Sequence, residues 1–439
     1  MEIPARHPRK GDCVIRDLAH TLGRVMVLVD YPDLGLARRP EYLDELVDRQ
    51  TGKPMSLNAR PEGQIPQITA PSAIPTWQAA RQTLLALRLG QSTSGSVEEL
   101  SVGMGEVDKA SEWALDRAKT GQLSFLLFES PYGMGKSHAL AHFRLRAQQA
   151  GMATGGVVLD GIGVSLCLPM SIISALSHSI EYPDSTSSDG LPQRLAGLIR
   201  TGAKDRLRTA GSEMLFNVLR NIEPSVAENP DTWEVIEDFL SLEVGAGVVR
   251  AQLGLVVPAL KSKLCDRPLR CTQLLHEWAQ ACTVTGAPNG LAVLLDEADV
   301  DYAQSGRTET ERRQRAGLLQ AWREVAESGA QSGGYGGLVI VMAITPGASD
   351  PDPVVEFKNA LGAHLRIVRL TELAKFEISE LGSRVSRLYR TAYEISDGTA
   401  TTMDATVNEC LKIISGQVEG RNPRKFIRLL LEKLDVAHT

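Results

Sequence analysis

The stretch LSFLLFESPYGMGKSHAL, from Leu123 to Leu140, limits the fold more than any other part of the chain. Leu123 to Glu129 is a continuous apolar run of strand length, the pattern of a strand buried on both faces of a parallel sheet. A glycine-bearing loop follows at once, and Ser137 to Gln149 has helical character. That order is also the context a phosphate-binding loop requires. The loop departs from G-x-x-x-x-G-K-[ST] at one place. Its first glycine position holds Ser130, and Pro131, Tyr132, Gly133, Met134, Gly135, Lys136 and Ser137 follow. The tripeptide G-K-[ST] arises by chance in roughly one chain of this size in five or ten, so the weight rests on the strand before it and the helix after it.

The residue types suit a polyphosphate. Successive backbone amides and a helix N-terminus meet negative charge. Gly133 and Gly135 let the backbone approach closely in conformations that other residues avoid. Lys136 would reach the β- and γ-phosphates, and the Ser137 hydroxyl would bind Mg²⁺. A second apolar strand, in LAVLLDEAD, ends in Asp296 and Glu297. Asp296 can hold Mg²⁺ through water, and Glu297 can orient and polarise an attacking water. The competing reading of that pair alone is a solvated acidic turn. A third strand, GLVIVMAIT, ends in Thr345, which either senses the γ-phosphate and positions water or caps the turn before Pro346.

Further strands and helices extend the pattern. GGVVLD, Gly155 to Asp160, reads as another buried strand, and residues 161–286 read as mostly helical. A helix is expected near Arg312 to Glu327, and helices alone from Glu372 onward. Strands alternating with helices predict an α/β fold with a parallel sheet covered on both faces. Helices are also expected over Trp77 to Leu89 and Glu106 to Lys119. Residues 1–72 form an accessory module. CVIRD and RVMVLVDY suggest two short strands, compatible with a small β-barrel, and the proline-rich stretch 58–75 reads as a linker.

Near the C-terminus, GRNPRKFIRLLLEKLD places Asn422 at a helix cap and Pro423 in the first turn. Arg424 would project from that turn and could fold back onto bound phosphates; the alternative is a basic, solvated helix. Phe426, Leu429, Leu430 and Leu434 make the packing face. Arg307, Arg312, Arg313 and Arg315 follow the Asp-Glu strand, as a solvated helix face, a nucleic-acid contact or a source of an arginine finger.

Composition narrows the rest. The 439 residues suit two or three domains, and the net charge of −6 excludes a polycation. Six scattered cysteines with no C-x-x-C pair argue against zinc and a disulfide framework. The N-terminal MEIPARHPRKGD has no apolar h-region, and the apolar run LGLVVPAL is too short to cross a bilayer. A cytoplasmic protein without a membrane partner is expected.

From LLALRLG through SVGMGEVDKASEWALDRAKTGQ, FESPYGMGKSHAL and GLAVLLDEAD to GRNPRKFIRLLLEKL, about residues 77–435, the chain resembles the P-loop ATP-binding proteins of bacterial BREX phage-defence systems, of the BrxC/BrxD type. Their wider kinship is with AAA+ ATPases of the origin-recognition and STAND kind. Tyr132, both glycines and His138 fit that family's loop. The resemblance implies an AAA+-like P-loop NTPase fold: core 73–370 with a long helical insertion over about 161–286, and a helical lid over 371–439. It implies ATP and Mg²⁺ as ligands and ATP hydrolysis as the activity. It puts Val102 and Gly103 against the adenine, with Met104 where relatives carry arginine. Gly420, Asn422, Pro423 and Arg424 match the relatives' sensor, with Arg421 inserted. A homo-oligomer or other defence-system proteins are the implied partners. A DNA contact stays open, though not through a winged helix, which the relatives often carry after the lid. Two alternatives remain: a nucleotide-bound assembly scaffold with little turnover, and a P-loop kinase, which the Asp-Glu strand end suits less well.

Overall fold

The structure, a computed structural model, describes residues 3–7, 11–21, 24–31, 36–42, 47–48, 76–89, 97–183, 190–261, 263–303, 307–328, 337–347, 352–395, 400–415 and 422–438. The chain forms two compact units, Met1–Val102 with Glu372–Thr439, and Gly103–Thr371. The expected linker and the Gly420-Arg421 pair lie outside the described residues.

The first unit contains an antiparallel sheet of β1 (Ile3–His7), β2 (Gly11–Thr21), β3 (Arg24–Tyr31), β4 (Leu36–Tyr42) and β5 (Val47–Asp48). Its order is β4-β3-β2-β1-β5. The two expected strands are β2 and β3, and β2 runs on through His20 and Thr21. Pro4 and Pro40 obscure β1 and β4, because proline weakens a strand pattern. The same unit holds helices Thr76–Arg88, Val97–Leu100, Lys375–Tyr393, Ala400–Ser415 and Pro423–His438. Leu84 packs in one core with Val385, Phe426, Leu430 and Leu434, and Arg81 Nε donates to the Ala392 carbonyl at 2.9 Å. Helix 76–88 therefore belongs with the C-terminal helices, whereas the resemblance placed it in the core 73–370.

The second unit is built on a six-stranded sheet. Its strands are β6 (Leu123–Glu129), β7 (Ala153–Val158), β8 (Ile180–Glu181), β9 (Gly290–Asp296), β10 (Gly337–Ile344) and β11 (Leu365–Arg369). Their order is β11-β6-β10-β9-β7-β8. All neighbours run parallel except β7 and β8. Strand alternation feeds two cores. Phe125 and Leu127 enter one, and Leu126 and Phe128 enter the other. Sheets buried on both faces read as unbroken apolar runs, which is why β6, β9 and β10 stood out. Strand β7 begins and ends two residues earlier than expected. The segment after it is mostly helical, from Pro169–Ser177 to Arg267–Thr285, and it packs into the larger core. A helix spans Glu309–Ser328, three residues longer at its start than the sequence suggested. Among the described residues, no helix is long and apolar enough to cross a membrane.

Candidate functional site

Parallel pairing brings the ends of β6, β10 and β9 side by side: Glu129 lies opposite Ile344, and Met342 opposite Leu295. Each strand then hands over to a polar turn. Ser130 follows β6, Thr345 follows β10, and Glu297 follows β9. The site sits at the carboxyl ends of parallel strands, where open α/β sheets bind their ligands.

After β6 the chain turns through 130–135 into helix Lys136–Gln149. Within the loop, positive φ falls on Gly133 (83°) and Gly135 (95°). A Cβ at Gly135 would meet nothing within 4 Å, so its backbone angle, not crowding, demands glycine. Ser130 needs no such freedom. It is buried, and its amide donates to the Ile344 carbonyl at 3.3 Å, which extends the β6–β10 pairing by one residue. The missing first glycine is therefore compatible with the loop's geometry.

Lys136 Nζ donates to the Ser130 carbonyl at 3.0 Å, to the Pro131 carbonyl at 3.4 Å, and to Thr345 Oγ1 at 3.0 Å. Burial lowers its pKa, and the nearby carboxylates of Asp299, Glu297 and Asp296 oppose that shift. Ser137 Oγ donates to Asp296 Oδ2 at 2.7 Å. Asp296 is 6% exposed. Burial raises its pKa, against the hydrogen bonds from Ser137 and the Glu297 amide and the charge of Lys136. A carboxylate whose charge is disfavoured by burial gains when a cation arrives.

Glu297 is exposed. Its φ of 58° is left-handed, a conformation costing a non-glycine residue on the order of 1–3 kcal/mol and concentrated at functional positions. The Glu297 amide donates to Asp296 Oδ1 at 2.9 Å, and the Ala298 amide to the Ala343 carbonyl at 2.9 Å. The turn is thus fixed at both ends, and the strain is held by β9 and β10. Asp299, whose role the sequence did not separate from the acidic run, accepts the Thr345 amide at 3.0 Å. It places the Thr345 hydroxyl where Lys136 meets it. The available signal was its place three residues after Asp296.

Tyr132 is 67% exposed at the loop's outer edge, while Gly133 and Met134 are half-buried. His138 is partly buried. Burial first, and the nearby His142 second, push its pKa down to about 4. One turn along, buried His142 contacts Asp108 Oδ1 at 2.9 Å, and Arg146 donates to the same oxygen. This ties the loop's helix to helix Gly105–Lys119.

Ser137 and Asp296 could contribute two oxygens to Mg²⁺, a number that suits an ion keeping phosphates and waters as its other ligands. Among the described residues, no group of three or more His, Cys, Asp or Glu could hold a metal by itself. The lysine, the helix N-terminus and these two oxygens fit a Mg²⁺-bound polyphosphate.

The other expected residues divide between the two units. Gly103 opens the second unit with φ 71°. Val102 and Arg424 belong to the first unit; Val102 is buried in its core. Asn422 caps helix Pro423–His438, with Oδ1 accepting the Arg424 amide at 3.0 Å, and Arg424 is exposed. Of the four arginines after β9, two are used internally. Arg307 pairs with buried Asp301 and with Glu311, and donates to the Gly161 carbonyl. Arg315 forks onto Glu356 at 3.2 Å and stacks on Tyr302. Arg312 and Arg313 are exposed.

No family model matches the chain, and no curated protein matches it.

Proposed function

We propose that the chain binds ATP with Mg²⁺ and hydrolyses it, as an AAA+-like P-loop protein serving as a switch or motor in a bacterial anti-phage defence system. One observation carries the nucleotide reading. Lys136, Ser137, Asp296, Glu297 and Thr345 come from three distant parts of the chain and meet at the ends of β6, β9 and β10. The defence role rests on the resemblance of the motifs.

Bound Mg²⁺ would neutralise phosphate charge and orient the γ-phosphoryl group. The protein groups divide the remaining work. Amides of the loop and of the helix N-terminus cradle the phosphates. Lys136 exchanges its carbonyl and hydroxyl partners for phosphate oxygens. Asp296 and Ser137 hold the cation's position. Glu297, accessible and fixed in place by a strained turn, accepts hydrogen bonds from an attacking water and takes up its proton. Thr345 fixes the far side of the phosphate.

Glu297→Gln tests the reading. Turnover should fall by a hundredfold or more, on the order of 3 kcal/mol in the barrier, with ATP binding retained. Lys136→Ala should lose binding itself. A scaffold with little turnover is the alternative, and it predicts nucleotide-dependent assembly unchanged by Glu297→Gln.

A further inference from the structure

A groove of about 490 Å³ lies in the second unit, between the segment near Leu264–Leu269 and helix 309–328. Two exposed apolar side chains mark it as a surface meant to be covered. Leu264 and Leu269 stand on one wall at 47% and 45% exposure. On the other wall Gln314 is buried, and its amide nitrogen donates to the Leu264 carbonyl at 2.9 Å, which ties the two walls together.

The charges indicate what covers it. Arg313 lies toward one end of the groove and Glu324 toward the other. Eleven residues on a helix make about three turns and about 16 Å, so both project from nearly the same face. A patch with a cation at one end, an anion at the other and apolar side chains between is complementary to itself under a two-fold rotation. Such self-complementarity is the requirement for an isologous dimer.

We propose that this groove is a dimer interface, occupied by the same groove of a second copy of the chain, with Arg313 of each copy meeting Glu324 of the other. Leu264 and Leu269 supply the apolar centre. The ties to be exchanged are weak. Arg313 is paired to Glu309 at 3.0 Å with both side chains mostly exposed, and Glu324 accepts from Gln320 on the same exposed face. Exposed pairs of this kind contribute little to stability.

The test uses the full chain, by sedimentation over micromolar concentrations, with and without Mg²⁺·ATP. The expected result is a dimer. Arg313→Glu alone or Glu324→Arg alone should weaken it by about tenfold or more, and the double exchange should restore it. Exposed Cys265 lies in the groove. Its labelling by a maleimide, followed by mass spectrometry of its peptide, should be fast in the monomer and slow in the dimer. A monomer under every condition would overturn the proposal. So would an oligomer indifferent to both reversals, or a folded double exchange as weak as the single ones. None of these outcomes depends on hydrolysis, so the interface and the nucleotide site are judged separately.

Discussion

Asp299 shows how little of a site's support is visible in its motif. Its carboxylate accepts the Thr345 amide at 3.0 Å and opposes the burial of the Lys136 ammonium. Asp299→Ala should destabilise the fold by about 1 kcal/mol and slow turnover about tenfold, with ATP affinity changed little. Asp299→Asn keeps an acceptor oxygen and should recover the stability. Denaturant titration beside steady-state kinetics checks both. His138 makes a second prediction. Its pKa is about 4 in the fold, below the ordinary value near 6.5. Between those values the unfolded chain binds more protons than the folded one. The stabilisation is therefore complete above pH 6.5 and is lost as pH falls toward 4, by at most about 3 kcal/mol. Unfolding curves of His138→Asn should show a shallower acid limb; an unchanged limb would contradict the assignment.

Strands β6, β9 and β10 are legible in the sequence because burial on both faces leaves them almost no polar residues. Strand β11, LRIVR, was not read: it is short, carries two arginines, and only Val368 is fully buried. Strands β1 and β4 were hidden by their prolines. Strand β10 lies beside β9, as expected of the strand that carries Thr345; that β6 flanks its other side, which brings Thr345 to Lys136, was not readable from spacing, since it depends on long connections. Gly337 shows a further constraint outside the motifs. A Cβ there would collide with the backbone of Ala118, because β10 starts where helix 105–119 ends against the sheet. Gly337→Ala should cost at least about 3 kcal/mol or prevent folding, measurable by thermal melts of any soluble product. Gly135→Ala meets no such wall, and its cost should be confined to the left-handed angle, about 1–2 kcal/mol.

The two units have separate cores: Leu84, Val385 and Phe426 belong to one, and Phe125, Leu295 and Ile340 to another. Calorimetry should therefore resolve two unfolding transitions. Mg²⁺·ATP at a hundred times its dissociation constant should stabilise the unit that carries Lys136 by about 2.7 kcal/mol, a shift that Lys136→Ala should abolish. One measurement bears most directly on the central claim: steady-state ATP hydrolysis by the purified chain beside Glu297→Gln, with nucleotide binding measured on both. Mg²⁺-dependent turnover that disappears in the variant while binding persists is the predicted result. Equal turnover in the two proteins, or no ATP binding by the unaltered chain, would contradict the account.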